Sequence, residues 1–190
     1  MERPVRRPDL LGGAFAGAAG GLAGGIVKML CERFAPPRPE GREAPPAVMM
    51  DRLAVARSGE HLTEDEKQSV TLTIHYAFSV LASAGYGALA EFAPVITTGF
   101  GTGYGLAVWA GAHEYALPRL DLTPRLPELP VSEQVNEAVT HALFGSVVEG
   151  VRRAIRRAAA PSVREEPAPN LASEARACYN GVMSKTSVTS

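Results

Sequence analysis

The stretch Leu10–Lys28 reads LLGGAFAGAAGGLAGGIVK, and its interpretation decides the fold. From Leu10 to Val27 it carries no charged residue. Such a run is about the minimum needed to cross a hydrocarbon core of roughly 30 Å at about 1.5 Å per helical residue. In water so many glycines would make a poor helix, at about 1 kcal/mol each relative to alanine. In lipid the backbone must satisfy its own hydrogen bonds, so the segment stays helical. Gly13, Gly17, Gly21 and Gly25 recur every fourth residue and predict a face on which a neighbouring helix packs closely. Self-association of that face into a glycine-zipper pore is the alternative. Arg3, Arg6 and Arg7 before the run resemble the start of a secretory leader. An uncleaved first span is the expectation, because its removal would strand three further apolar segments in water.

Those segments are 69–91, 95–117 and 132–151, which with 10–30 predict an all-α, integral membrane four-helix bundle. Residues 1–9 are then a cytoplasmic tail, 10–158 the membrane domain and 159–190 a disordered tail rich in Ala, Pro, Glu and Ser. The loop 35–68 is polar and broken by Pro36, Pro37, Pro39, Pro45 and Pro46. Within it, Val48–Arg57 has a helical apolar period and predicts a short amphipathic helix on the bilayer or capping the bundle. Thr63 and Glu66 form a capping-box signature at the start of the second long helix. Glu91–Pro94 predicts a tight hairpin into the third span, and Ser132 is the expected N-cap of the fourth.

The ionisable residues are distributed unevenly along this topology. Lys28 and Glu32 close the first span, His75 opens the second, His113 and Glu114 close the third, and Glu133, Glu137 and His141 open the fourth. A chain that alternates sides brings all eight toward one membrane face. Ionisable side chains within lipid are costly, face a bundle interior and mark functional sites. Glu133, Glu137 and His141 are spaced by four and share one helix face. A carboxylate and an imidazole so placed can ligate a cation or pass a proton. His75, His113, His141 and Glu137 are the candidate metal ligands, with a transition metal or a haem as alternatives to a proton-responsive network. No cofactor is required by this reading. Lys28 and Glu32 are expected to form an interfacial ion pair with a snorkelling lysine, and Glu91 and Glu149 to lie at headgroup level toward the other face. GFGTGYG at Gly99–Gly105 resembles a potassium filter but lies inside an apolar span, so Gly101 and Gly105 are read as a second packing face.

Composition narrows the function classes. A formal net charge of -1 gives no general basicity for nucleic acid. Cys31 and Cys178 have neither a disulfide-framework nor a metal-ligand spacing. No P-loop, G-x-S-x-G elbow or Ser-His-Asp order is present, so no enzyme is expected. The partner is the lipid bilayer, with a homo-oligomer or another membrane protein possible. The compact run Arg152–Arg157 places both termini in the cytoplasm and the polar cluster toward the outer face.

A longer pattern joins these residues. Lys28, Glu32 and Pro36-Pro37-Arg38 are followed by His75, Phe78-Ser79, Gly85-Tyr86, Glu91 and Pro94. Then come His113, Pro118, Leu122-Thr123-Pro124, Glu133, Glu137, His141, Glu149 and Arg152-Arg153. In order and spacing over about 28–157 the chain resembles the YagU-like inner-membrane proteins. The resemblance implies a multi-span protein of the bacterial inner membrane and supplies no reaction. It leaves two functional classes. One is a membrane protein whose His/Glu cluster binds or relays a proton or cation, in acid response or transport. The other is an assembly subunit that packs through glycine faces and holds no ligand.

Overall fold

The computed structural model describes residues 8–36, 41–125 and 128–160. The expected tails, with Arg3, Arg6, Arg7 and Cys178, lie outside the described residues except for Pro8 and Asp9 at one end and Ala159 and Ala160 at the other. The described chain is all-helical. It runs through α1 (Leu10–Phe34), α2 (Pro45–Ser58), α3 (Glu64–Phe92), α4 (Thr102–Trp109), α5 (Leu117–Arg119) and α6 (Val131–Ala158). A 3₁₀ turn at Pro94–Thr97 precedes α4, and a π-helical segment at Ala110–Ala116 joins α4 to α5. Among the described residues one helix, α1, is long and apolar enough by length and composition to cross a membrane.

Glycine sets the packing. The face Gly13, Gly17, Gly21 and Gly25 lies on α3, where added Cβ atoms would meet Gly87, Ser83 and Ser79. Gly20 and Gly24 form a second face, against Val148 and Phe144 of α6. Gly101 and Gly105 bring α4 onto α6, against the backbone of Gly145 and His141. Tyr86, Phe144 and Val148 make the small apolar core, with Ile96 and Tyr104 packed on it. The Tyr86 and Tyr104 rings stack with centroids 4.2 Å apart, and Tyr104 shares a 3.0 Å hydroxyl hydrogen bond with Ser83.

Helix ends obey local chemistry. Thr63 accepts from the Glu66 N–H while the Glu66 carboxylate accepts from the Thr63 N–H, the reciprocal capping box read from the sequence. Asp9 caps α1 by accepting from Gly12 N–H at 3.0 Å. Three expectations need correction. The 95–117 segment is not one helix, because Gly99, Phe100 and Gly101 all adopt positive φ and reverse the chain before α4 begins. The reversal therefore occupies 93–101 rather than Glu91–Pro94. The loop helix starts at Pro45, whose fixed φ suits a first turn. Ser132 lies inside α6 and is not its cap. Pro130 is in extended conformation there and its carbonyl accepts from Glu133 N–H.

Candidate functional site

Three of the elements converge where α1 ends and α6 begins. Lys28, one turn before Glu32 on α1, is 6% exposed. It donates to Glu32 and reaches the Glu137 carboxylate at 3.5 Å. The lysine therefore points into the bundle and does not snorkel. Glycines at positions 24 and 25 let α6 and α3 pack closely against that end of α1.

On α6, Glu137 and His141 stack one turn apart and are 8% and 5% exposed. His141 Nδ1 lies 2.8 Å from the Glu137 main-chain carbonyl and 3.5 Å from its carboxylate. A carbonyl only accepts, so Nδ1 carries the proton and Nε2 keeps its lone pair. The contact of Gly105 with the His141 carbonyl draws α4 in beside this turn. The π-helical segment continues α4 and presents His113, whose Nε2 lies 4.0 Å from the Glu137 carboxylate. The His113 and His141 rings meet edge-on, centroids 4.9 Å apart. A donor atom from each of His113, Glu137 and His141 lies within 4.8 Å of the others.

The remaining expected residues take different places. Glu114 lines a small cavity of about 40 Å³ with Trp109, His113, Glu133 and Glu137, and its Oε2 is buried with no hydrogen-bond partner among the described residues. Glu133 is bound by Arg42 from the loop at 2.7 Å. His75 stands off from the tight cluster, with Nε2 3.5 Å from the Gly25 carbonyl. It lines a larger cavity of about 320 Å³ that also reaches Lys28, Glu32, His113 and His141. Its remaining wall is mainly apolar, including Ile74, Phe78, Val108 and Phe144.

At the other end, Glu149 is 0% exposed and turned into the bundle. Tyr86 donates to it at 2.9 Å, Arg152 at 2.7 and 3.0 Å, and Arg153 at 2.5 Å. Glu91 accepts from Arg152 and Arg156, and Arg156 also reaches Asp9 at 2.6 Å. Arg152 and Arg153 thus find a carboxylate, Glu149, inside the bundle.

Set beside known proteins, residues 22–150 match the profile of the family described as Protein of unknown function (DUF1440). The chain belongs to this family. The whole His/Glu/Lys cluster of this DUF1440 chain falls inside the matched range. The chain is 31% identical over 97 residues to the protein named Inner membrane protein YagU of Escherichia coli (strain K12). That similarity covers 51% of the chain and 46% of the relative, so it spans about half the length of each. No solved structure matches the DUF1440 chain.

Sequence reasoning missed three features: the inward course of Lys28, the second glycine face, and the π-helical segment that aims His113. Gly20 and Gly24 were visible at the same spacing of four. Nothing in AGAHEYA marks a π-helix.

Proposed function

We propose that this protein crosses the bacterial inner membrane in four helical segments. In this reading the His113, Glu137, His141 and Lys28 cluster binds or relays a proton or cation and performs no enzymatic reaction. One observation carries the reading: the molecule is polar within and apolar without. Leu11, Phe15, Leu81 and Val131 are between 70% and 85% exposed, whereas Lys28, Glu137, His141 and Glu149 are buried. Water would penalise that arrangement, since large exposed apolar patches seek lipid or a partner. Lipid favours it, because intramembrane charges face the interior and pair there. The similarity to an inner membrane protein supports the same location. The apolar cavity reaching Lys28, His113 and His141 gives the cluster an approach.

The assembly reading is weaker because the glycine faces are occupied within the chain. Gly17 and Gly21 meet α3, Gly20 and Gly24 meet α6, and Gly105 meets α6.

Two measurements test the proposal. Reporter fusions at Pro36, Pro124 and Ser190 should report outside, outside and cytoplasm. A cytoplasmic Pro36 would move the cluster to the inner face. The only tryptophan, Trp109, lies beside Glu114 and His113, so its fluorescence should change with pH as the cluster exchanges protons. The charged and titratable groups facing it and the cluster are Lys28 and Glu32 on α1, Arg42 and Glu43 in the loop before α2, His75 on α3, His113 and Glu114 on the π-helical segment, and Glu133, Glu137 and His141 on α6. The titration should vanish in His113→Ala and weaken in His141→Ala. A pH-independent Trp109 signal would remove the proton reading.

A further inference from the structure

Glu114 is the loose end of the cluster. A buried carboxylate oxygen with no partner among the described residues costs free energy unless something positive completes it. Beside it, along the wall of the same small cavity, are His113 and Glu137. Lys28 already brings an ammonium to within 3.5 Å of the Glu137 carboxylate, so the position accepts a cation.

We propose that His113, Glu137 and His141, completed by Glu114, form a site for one divalent first-row transition-metal ion. The inference deepens the cation reading above and rests on it. The donor set decides the class of ion. Two imidazoles with carboxylates suit zinc, manganese, iron, cobalt or nickel, whereas calcium and magnesium take oxygen donors throughout. The spacing is that of a site ready to contract. Metal–donor lengths of about 2.0–2.2 Å put tetrahedral donor atoms roughly 3.3 Å apart. The present separations, up to 4.8 Å, close by side-chain rotation of His113 and Glu137. His141 is steadied by its Nδ1 bond to the main chain, the support that ligating histidines commonly have. Glu133 is held aside by Arg42 and takes no part. On metal entry Lys28 gives up Glu137 and keeps Glu32, its partner one turn along α1. The lysine is thus a built-in competitor of the ion, and the larger cavity, which reaches Lys28, His113 and His141, is the ion's route in.

The test uses the full chain in mild detergent, stripped with a chelator and titrated with Zn²⁺ by calorimetry and with Co²⁺ by visible absorption. One Zn²⁺ should bind per chain, unaffected by millimolar Mg²⁺, and Co²⁺ should give d–d bands and quench Trp109. His113→Ala, His141→Ala and Glu137→Gln should each weaken Zn²⁺ by about tenfold or more. Lys28→Met should tighten it several-fold, a gain that loss of structure cannot produce. His75→Ala should leave the affinity within about twofold. Absence of Zn²⁺ binding with the Trp109 pH response intact overturns the metal site alone. Absence of both overturns the cation reading as well. Binding that survives His113→Ala and His141→Ala, or that Lys28→Met leaves unchanged, places the ion elsewhere and overturns the assignment.

Discussion

Glu149 shows at the residue scale how this chain tolerates charge in its interior. It has no exposed surface, and three side chains donate to its two oxygens. Breaking such a group is costlier than never having built it, because the partners remain buried and unpaired. Glu149→Ala should therefore lower stability by about 3–5 kcal/mol, read as early thermal unfolding in detergent. Glu149→Gln should cost less, since the amide oxygen still accepts one hydrogen bond. Arg157→Ala, on an exposed position of the same helix, should stay within about 0.5 kcal/mol. Equal effects at Glu149 and Arg157 would mean the network is ornamental. The sequence disclosed the i, i+3 and i, i+4 spacing of Glu149 with Arg152 and Arg153. It could not disclose that Tyr86, 63 positions away, closes the set.

At the scale of elements, α1 works as a two-sided spacer. A side chain at Gly17 would drive into the Ser83 carbonyl and one at Gly21 into Ser79 and Ser83. Gly17→Leu and Gly21→Leu should each cost at least about 1–3 kcal/mol through overpacking. Leu22, 48% exposed, should tolerate Ala with little loss. Similar tolerance at all three positions would dismiss the close-packed α1–α3 contact. The spacing of four made the first face legible. Which neighbour each face receives depends on contacts remote in sequence, so the α6 face was not. Val95–Ala112 shows the opposite limit. Its lack of charge reads as one span, yet three consecutive positive-φ residues break it. Gly at 99 and 101 permits that conformation, but Phe100 adopts it because the surrounding chain requires it.

For the molecule as a whole, the two ends differ in kind. One is a closed mesh of arginines and carboxylates; the other gathers imidazoles, carboxylates and a lysine around cavities. The gathering of the ionisable residues toward one end was readable from span order, and five of the eight, Lys28, Glu32, His113, Glu137 and His141, meet there. Glu114 borders that group, while Glu133 and His75 are engaged by Arg42 and the Gly25 carbonyl. Two further clasps tie the ends. Asp51 receives His61 Nδ1 and the Leu62 N–H at 2.8 Å each, and Asp9 receives Gly12 and Arg156. The His61 hydrogen bond chiefly holds the Asp51 carboxyl below its usual range, and the Gly12 N–H does so for Asp9. A depressed carboxyl contributes stability that is complete above its unfolded pKa and disappears as pH falls through its lower folded value. The clasps should therefore hold at pH 5 and open only below the ordinary value of 3.8. Hydrogen exchange at 51–62 should remain protected through the imidazole range and rise in stronger acid, and Asp51→Asn should erase that rise. Exchange that is the same at pH 5 and in stronger acid would dismiss the Asp51 clasp.

The π-helical segment at Ala110–Ala116 has a consequence in engineering terms. A π-turn amounts to one surplus residue in an otherwise α-helical stretch, and each residue removed rotates the downstream helix by about 100°. Gly111 borders open space, where an added Cβ would meet nothing, so its deletion leaves no packing hole. A chain lacking Gly111 would regain α-helical register and swing His113 and Glu114 off the face they share with α6. The approach of His113 to Glu137 and His141 thus hangs on the register of a single residue, and deleting Gly111 should disperse the cluster while leaving α4 itself intact.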